Sequence, residues 1–325
     1  MVRMPAEWER QDWIWIGFPA AQNLWEEALL PAQQQIAEFA NAIAATGQQV
    51  CLVVRDEATE FRARELLQGD VRFEKHPYGD IWLRDIGPLS VIGASNDRQA
   101  RLFNFNGWGG KYFLKGDEET GASLADRAGL PYVRADWVLE GGALDTDGTG
   151  LVVTTEQCLL NPNRNPGLSR EEIEARLHRD LGFHRVLWLG DGLRGDHTDG
   201  HVDNLARFFA PGRIAIPRAS DDDPNAGVYE DAAVRSRAFG LEVVRVPSPG
   251  RTGAEGDIEP ASYMNFVIAN KVVVVPTYGS RHDSEAVEAI GALFPGRRTV
   301  GLRANAVLTG GGSFHCCSQQ VPALS

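Results

Sequence analysis

Apolar and polar positions alternate in type along this chain in a recurring order. An apolar run that reads as a strand is followed by an amphipathic stretch of helical period and then by another strand. A helix is predicted over 24–45, followed by a strand over 49–56 (QVCLVVRD). A helix over 59–67 then precedes VRFEKH. Strands at IGPLSVIGA and RQARLFNFN lead to a helix over 118–128 and the strand YVRADWVL. ALDTDGTGLVVTTEQCLL, a helix over 170–181 and HRVLWLG repeat the order. It recurs in the hairpin NLARFFAPGRIAIPRA, a helix over 228–239 and LEVVRVP. The last round is YMNFVIANKVVVVPTY, a helix over 284–294 and RRTVGLRA, before a closing SFHCCSQQVPAL.

A hairpin–helix–strand unit thus repeats about five times over the 325 residues, at a spacing of roughly 65 residues. The repeat is one of pattern, with low identity between units. Units that cannot each bury their own apolar face tend to stack, often around an axis, and loops at one end of each unit then converge. Polar, glycine-bearing signatures recur at comparable places: GDIWLRDIGP (79–88), FNGWGGKY (105–112), LEGGAL (139–144), GDHTDGHVDN (195–204) and TGGGSFHCC (309–317). Glycine lets a backbone approach a ligand closely, which suits site loops.

Composition narrows the classes. Apolar residues make up 43% and charged residues 23%, an ordinary globular balance that supports a sizeable core. A net charge of −12 argues against nucleic acid or an anionic membrane as partner, and is compatible with a cationic substrate. Four cysteines with no CxxC pair, no signal-peptide pattern and no apolar run near about 18 residues predict a soluble, cytoplasmic protein. Cys51 and Cys158 lie inside apolar runs and read as small core residues.

Cys316 is different. It follows the Gly310–Gly312 run and is flanked by polar side chains, which argues for a reactive thiol over inert burial. If 201–203 is extended, His201 and Asp203 share a face with Val202 behind. Spacing leaves that pair open between an acid/base with its carboxylate and a hydrogen-bonded surface pair. On a strand, Asp80, Trp82 and Arg84 would share one face and Asp85 take the other, at an element end closed by Gly87 and Pro88; alone, Asp85 reads as a turn cap. His315 is predicted to point away from Cys316, leaving His201 as the better base. His197 and His201 with Asp196, Asp199 and Asp203 suggest a metal cluster. Gly195 and Gly200 break the helix that would align them, so no metal is expected.

Taken together and in this order, the segments from MPAEWERQDWIWIGFP (4–19) through PASYMNFVIANKVVVVPTYG (260–279) to GGGSFHCCSQQ (310–320) resemble the agmatine deiminase family. That family lies within the guanidino-group-modifying (pentein) superfamily and shares the Porphyromonas-type peptidyl-arginine deiminase domain. The resemblance covers nearly the whole chain. It implies an α/β fold, a five-bladed α/β propeller of ββαβ units around a pseudo-fivefold axis, formed by 1–325 as a single domain. By position it implies Cys316 as nucleophile, His201 as general acid/base, Asp85 and Asp203 as guanidinium-binding carboxylates, and Glu140 of LEGG as a further site residue. Trp82 and Trp108 are expected against the substrate. The implied reaction is hydrolysis of agmatine to N-carbamoylputrescine and ammonia through a Cys316 thiouronium, in putrescine and polyamine biosynthesis, with no cofactor. Family members commonly pair into homodimers.

Among the departures from the family pattern, which is close to GGGNIHCITQQ, Ser313 replaces an amide and Cys317 an apolar residue; Cys317 is expected to face the core. A site for free arginine would need a basic clamp for its carboxylate, and the signatures supply only Arg84 and Lys111. Free or peptidyl arginine, or amidino transfer on the same scaffold, are the alternative activities. Retention of Cys316, His201, Asp203 and Asp85 together speaks against a non-catalytic binding propeller. The order His201 before Cys316 speaks against a papain-like protease.

Overall fold

The computed structural model describes residues 2–252 and 258–324. It is a mixed α/β structure with five separate sheets. Four of them repeat one arrangement: two antiparallel strands, a helix, and a third strand parallel to the second. They are Leu89–Ile92, Arg98–Asn104 and Tyr132–Val138; Asp145–Thr146, Leu151–Thr155 and Arg185–Leu189; Arg207–Ala210, Arg213–Arg218 and Glu242–Pro247; and Val267–Ile268, Val272–Thr277 and Arg298–Arg303. The remaining sheet joins the two ends of the chain. Ser318–Pro322 pairs antiparallel with Gln11–Gly17, which continues parallel into Gln49–Val54 and Val71–Lys75. Five sheets of three to four strands match the five units read from the pattern, and the closing segment completes the first unit rather than adding a sixth.

Helices end where local chemistry stops them. Arg170–Leu181 begins at a reciprocal cap, in which the Ser169 side chain accepts from the Glu172 amide and the Glu172 side chain accepts from the Ser169 amide. It ends at Gly182, whose φ of +80° continues the chain left-handed. A Cβ at Gly182 would lie 2.0 Å from the Val2 carbonyl oxygen. Asp56 caps Glu57–Leu66 by accepting from the Thr59 amide. The helix predicted over 24–45 is broken: Gln22–Trp25 is one turn, Glu26–Ala28 is a 3-10 turn, and Leu29–Ala44 is the main helix. The break falls at Glu26, with φ of 47°, beside a Trp25 indole held by Asp80 in the unit's interior.

Apolar clusters straddle the junctions between units. Val91 and Trp137 of one unit pack with Val152, Ile173 and Leu177 of the next. Val153 and Leu187 pack with Phe208, Ile214 and Tyr229 of the unit after that. The largest cluster joins Ile14, Leu52 and Ile36 to Val274, Met264 and Ile81. The sheets therefore depend on one another for burial, and the loops between them are held in place by packing on both sides. Among the described residues no helix is long and apolar enough to cross a membrane.

Gly182→Ala should strain the left-handed turn and push Cβ into the Val2 carbonyl. We expect a loss of roughly 1–3 kcal/mol of stability, read as a lower thermal midpoint with catalytic constants unchanged; an unaltered midpoint would show that the Val2 segment yields freely.

Candidate active site

Five loops meet at a cavity of about 230 Å³ lined by Trp25, Asp80, Trp82, Asp85, Trp108 and Cys316, with Tyr112, His197 and Gly310–Gly312 at its margin. The segment carrying Asp85 departs from the predicted strand. Leu83–Ile86 is a short helical turn, because the Gly79 and Asp80 amides are drawn onto Asp117 Oδ1 and the chain turns at once. Arg84 and Asp85 still diverge. Arg84 Nε reaches the His315 carbonyl at 3.3 Å, away from the cavity, whereas Asp85 faces it. Asp80 accepts from both indoles, Trp25 Nε1 at 2.9 Å and Trp82 Nε1 at 2.8 Å, so one carboxylate orients two aromatic walls. Burial pushes Asp80 up to about 6, against those hydrogen bonds.

Asp85 accepts from Trp108 Nε1 and from the Gly142 amide, each at 2.9 Å. Trp108 adopts a left-handed φ of 53° to present its indole there. Burial, helped by the Asp203 and Glu140 charges, raises the Asp85 pKa. Gly142 permits the close fit: a Cβ on it would sit 2.5 Å from His201 Nδ1 and 2.9 Å from Asp85 Oδ1.

His201 and Asp203 also depart from the predicted geometry. Val202–Asn204 is a single 3-10 turn, and only His201 keeps an extended backbone. His201 is 1% exposed, with Nδ1 3.7 Å from Asp85 Oδ1. That is beyond hydrogen-bonding range but close enough for an attraction on the order of 4 kcal/mol at an effective dielectric near 20. Burial disfavours the imidazolium, yet Asp85, Cys158 and Glu140 outweigh it and hold the pKa well above the ordinary value. Glu140 is fully buried on Arg164 Nε, at 3.1 and 3.4 Å from its two oxygens.

Asp203 Oδ2 lies 2.7 Å from His315 Nδ1 and 3.8 Å from Cys316 Sγ. Its Oδ1 is buried with no hydrogen-bond partner among the described residues. Burial would raise its pKa, but His315, His201 and Arg207 together lower it. Phe314–Cys317 is a turn rather than a strand. It nonetheless sends His315 to Asp203 and Glu7 and Cys316 to the cavity, the divergence expected from the sequence. Cys316 Sγ is 3.1 Å from Asn265 Nδ2. Burial, Asp203 and Asp85 push its thiol well above the usual range. Cys317 turns into the core and donates to the Phe314 carbonyl at 3.3 Å, and Ser313 is buried beside it. His197 stands at the rim against Tyr112 Oη at 3.3 Å, apart from buried His201.

Several participants were not singled out from the sequence. Asn265 interrupts the apolar run YMNFVIAN, and a buried amide in such a run was the available signal. Glu7 binds Arg207 and His315 and accepts from the Ile268 amide at 2.6 Å; Arg207 also binds Asp145 at 3.2 Å. Arg164 joins buried Glu140 to Asp199, which reaches Lys111 at 2.5 Å. Lys111 is thus occupied, Arg84 points away, and no Arg or Lys lines the cavity among the described residues.

The loops of this α/β scaffold thus set a buried thiol among carboxylates at one cavity. The chain belongs to the Porphyromonas-type peptidyl-arginine deiminase family, whose sequence model matches residues 3–322, and is a hydrolase of carbon–nitrogen bonds. An agmatine deiminase of Enterococcus faecalis superposes with a TM-score of 0.93 at 33% identity, covering 100% of this chain and 96% of that one. A C. jejuni agmatine deiminase, a Cys-to-Ser variant with substrate bound, superposes equally well (0.93) at 27% identity, covering 99% and 97%. A Vibrio parahaemolyticus protein provisionally named agmatine deiminase is 36% identical over 348 residues, 98% of this chain and 96% of the other.

Alkylation of Cys316 by iodoacetamide, followed against pH, should show a midpoint above the ordinary thiol value of about 8.5. Asp203→Asn removes one of the charges that oppose the thiolate and should lower that midpoint. A midpoint at or below the ordinary value in the unsubstituted protein would contradict the electrostatics described.

Proposed function

We propose that the protein hydrolyses agmatine to N-carbamoylputrescine and ammonia, with Cys316 as nucleophile, as a step of putrescine and polyamine synthesis in the cytoplasm. The observation that carries this reading is the thiol of Cys316 3.8 Å from Asp203, facing a cavity that also presents Asp85 and aromatic walls but no basic side chain among the described residues. The proposal extends to the architecture: one domain over 1–325, its five units set as blades around a pseudo-fivefold axis. The apolar clusters that straddle neighbouring units support it.

A guanidinium is planar and cationic, and carboxylates accept its paired N–H groups. Asp203 Oδ1, buried and unpartnered, and Asp85 are the acceptors, with Glu140 adding negative charge behind them. Entry of the cation supplies the charge that burial and the carboxylates otherwise deny to a thiolate, so the thiol releases its proton to water as substrate binds. The thiolate attacks the central carbon, forming the C–S bond and a tetrahedral adduct. His201, held protonated, gives its proton to the departing nitrogen; the C–N bond breaks and ammonia leaves. Neutral His201 then takes a proton from water, hydroxide adds to the thiouronium carbon, and the C–S bond breaks to release the ureido product and the Cys316 thiol. The indoles of Trp82 and Trp108 lie where they can flank the methylene stem.

The substrate tail separates agmatine from arginine. Agmatine has an ammonium and no α-carboxylate, and a carboxylate entering this cavity would meet Asp80 and Asp85 without an Arg or Lys among the described residues.

Ammonia release with agmatine, free arginine and a blocked arginine peptide tests both parts. We expect turnover of agmatine, lost by a factor of at least about 10⁴ in Cys316→Ala. Asp85→Asn should lower kcat/KM by about 100-fold or more. Turnover of arginine in preference to agmatine would overturn the substrate, and activity surviving in Cys316→Ala would overturn the mechanism.

A further inference from the structure

Cys158 has no part in the reaction above and does not line the cavity, yet it is placed with care against the groups that do. Its Sγ, one Glu140 carboxylate oxygen and one His201 ring nitrogen lie within 4.8 Å of one another. All three side chains are buried, at 0%, 0% and 1% exposure. The turn that carries Cys158, Glu156–Leu159, starts at Thr155, whose hydroxyl oxygen accepts from the Cys158 amide at 3.2 Å. The same hydroxyl donates to the Gly200 carbonyl at 2.6 Å, which ties this turn to the residue before His201. Neither nitrogen of the His201 ring has a hydrogen-bond partner of normal geometry among the described residues. Against burial, and beside the Asp85 charge, the neighbour that bears on the ring is the Cys158 thiol, whose hydrogen bonding and charge raise the His201 pKa.

Thiolate, imidazole and carboxylate together are the donor set of a tetrahedral zinc site. Zinc bonds of about 2.0–2.3 Å place donors about 3.5 Å apart, so closing the cluster onto an ion takes side-chain shifts on the order of 1 Å. The surroundings favour a dication. Asp85 and Asp203 add negative charge around His201, and the guanidinium of Arg164, which pairs with Glu140, is shared with Asp199. We propose that Glu140, Cys158 and His201 form a binding site for zinc or another thiophilic divalent ion, and that its occupancy takes His201 out of the reaction. On binding, the Cys158 thiol and the His201 imidazolium each give a proton to solvent, and the freed lone pairs of the sulfur and of the ring nitrogen form the metal bonds; no electron changes hands. The inhibition rests on the deiminase reading, because it requires His201 as acid and base. The binding does not.

The test is cobalt titration of the metal-stripped full chain, watched for the thiolate-to-cobalt charge-transfer band. Zinc titration of agmatine turnover is run in parallel. We expect one ion per chain, a band lost in Cys158→Ser and kept in Cys316→Ser, and a fall in turnover of about 100-fold at saturating zinc that a chelator reverses. A band that survives in Cys158→Ser, disappears in Cys316→Ser or never forms overturns the site. A crystal of the unsubstituted protein soaked in zinc decides the matter even if Cys158→Ser does not fold. An anomalous peak among the three side chains supports the site, and a peak at Cys316 or none overturns it. Metal binding in a protein that turns over no guanidine would sink the deiminase reading and leave the site standing.

Discussion

Everything in the site follows from crowding carboxylates around a sulfur where water is scarce. Asp85, Asp203 and Glu140 are almost wholly buried within one set of loops, and Cys316 faces two of them. Such a cluster is costly unless a cation completes it. Arg164 on Glu140 and His315 on Asp203 supply part of the compensation. His201 supplies more by staying protonated beside Asp85. What remains is the free oxygen of Asp203 and a thiol held in its unreactive form. In the proposed reaction, the same imbalance keeps the thiol quiet until a substrate brings positive charge to the sulfur.

Holding like charges together calls for a frame that cannot relax, and the ends of the chain provide it. Glu7, near the start, bridges Arg207 in the fourth unit and His315 in the last turn, and accepts from the amide of Ile268 in the fifth. The final strand, Ser318–Pro322, completes the first sheet directly after Cys316. Cys316 is therefore anchored on its C-terminal side by the fold's closure and on its N-terminal side by Asn265, which binds both the His315 amide and Cys316. The outer wall uses the same economy of means, since the Asp80 carboxylate sets both Trp25 and Trp82.

Much of this was legible in the sequence. Alternating runs and helical periods marked five units because each must bury a strand face and a helix face, and that demand leaves a trace in every repeat. Cys316 stood out because it follows a glycine run among polar side chains; spacing left the His201–Asp203 pair open and read Asp85 as a turn cap, and Glu140 entered only through the family resemblance. Their local conformation did not follow. A period-two reading made strands of 79–88 and 201–203, whereas backbone amides donating to distant residues such as Asp117 turn the first of these into a short helix. The supporting residues were hidden for the same reason. Glu7, Arg164, Arg207 and Asn265 act through partners tens to hundreds of positions away, and Cys158 in EQCLL looks like any small apolar filler until the fold sets it beside His201.

The most direct test of the central claim is to trap what the sulfur carries. A reaction with agmatine is quenched in acid during turnover, digested, and its cysteine peptides are weighed. The account predicts an added mass equal to agmatine less ammonia on the peptide bearing Cys316, absent from the peptides of Cys51 and Cys158 and lost on continued incubation. Turnover with no adduct at Cys316, or an adduct located on another cysteine, would contradict it.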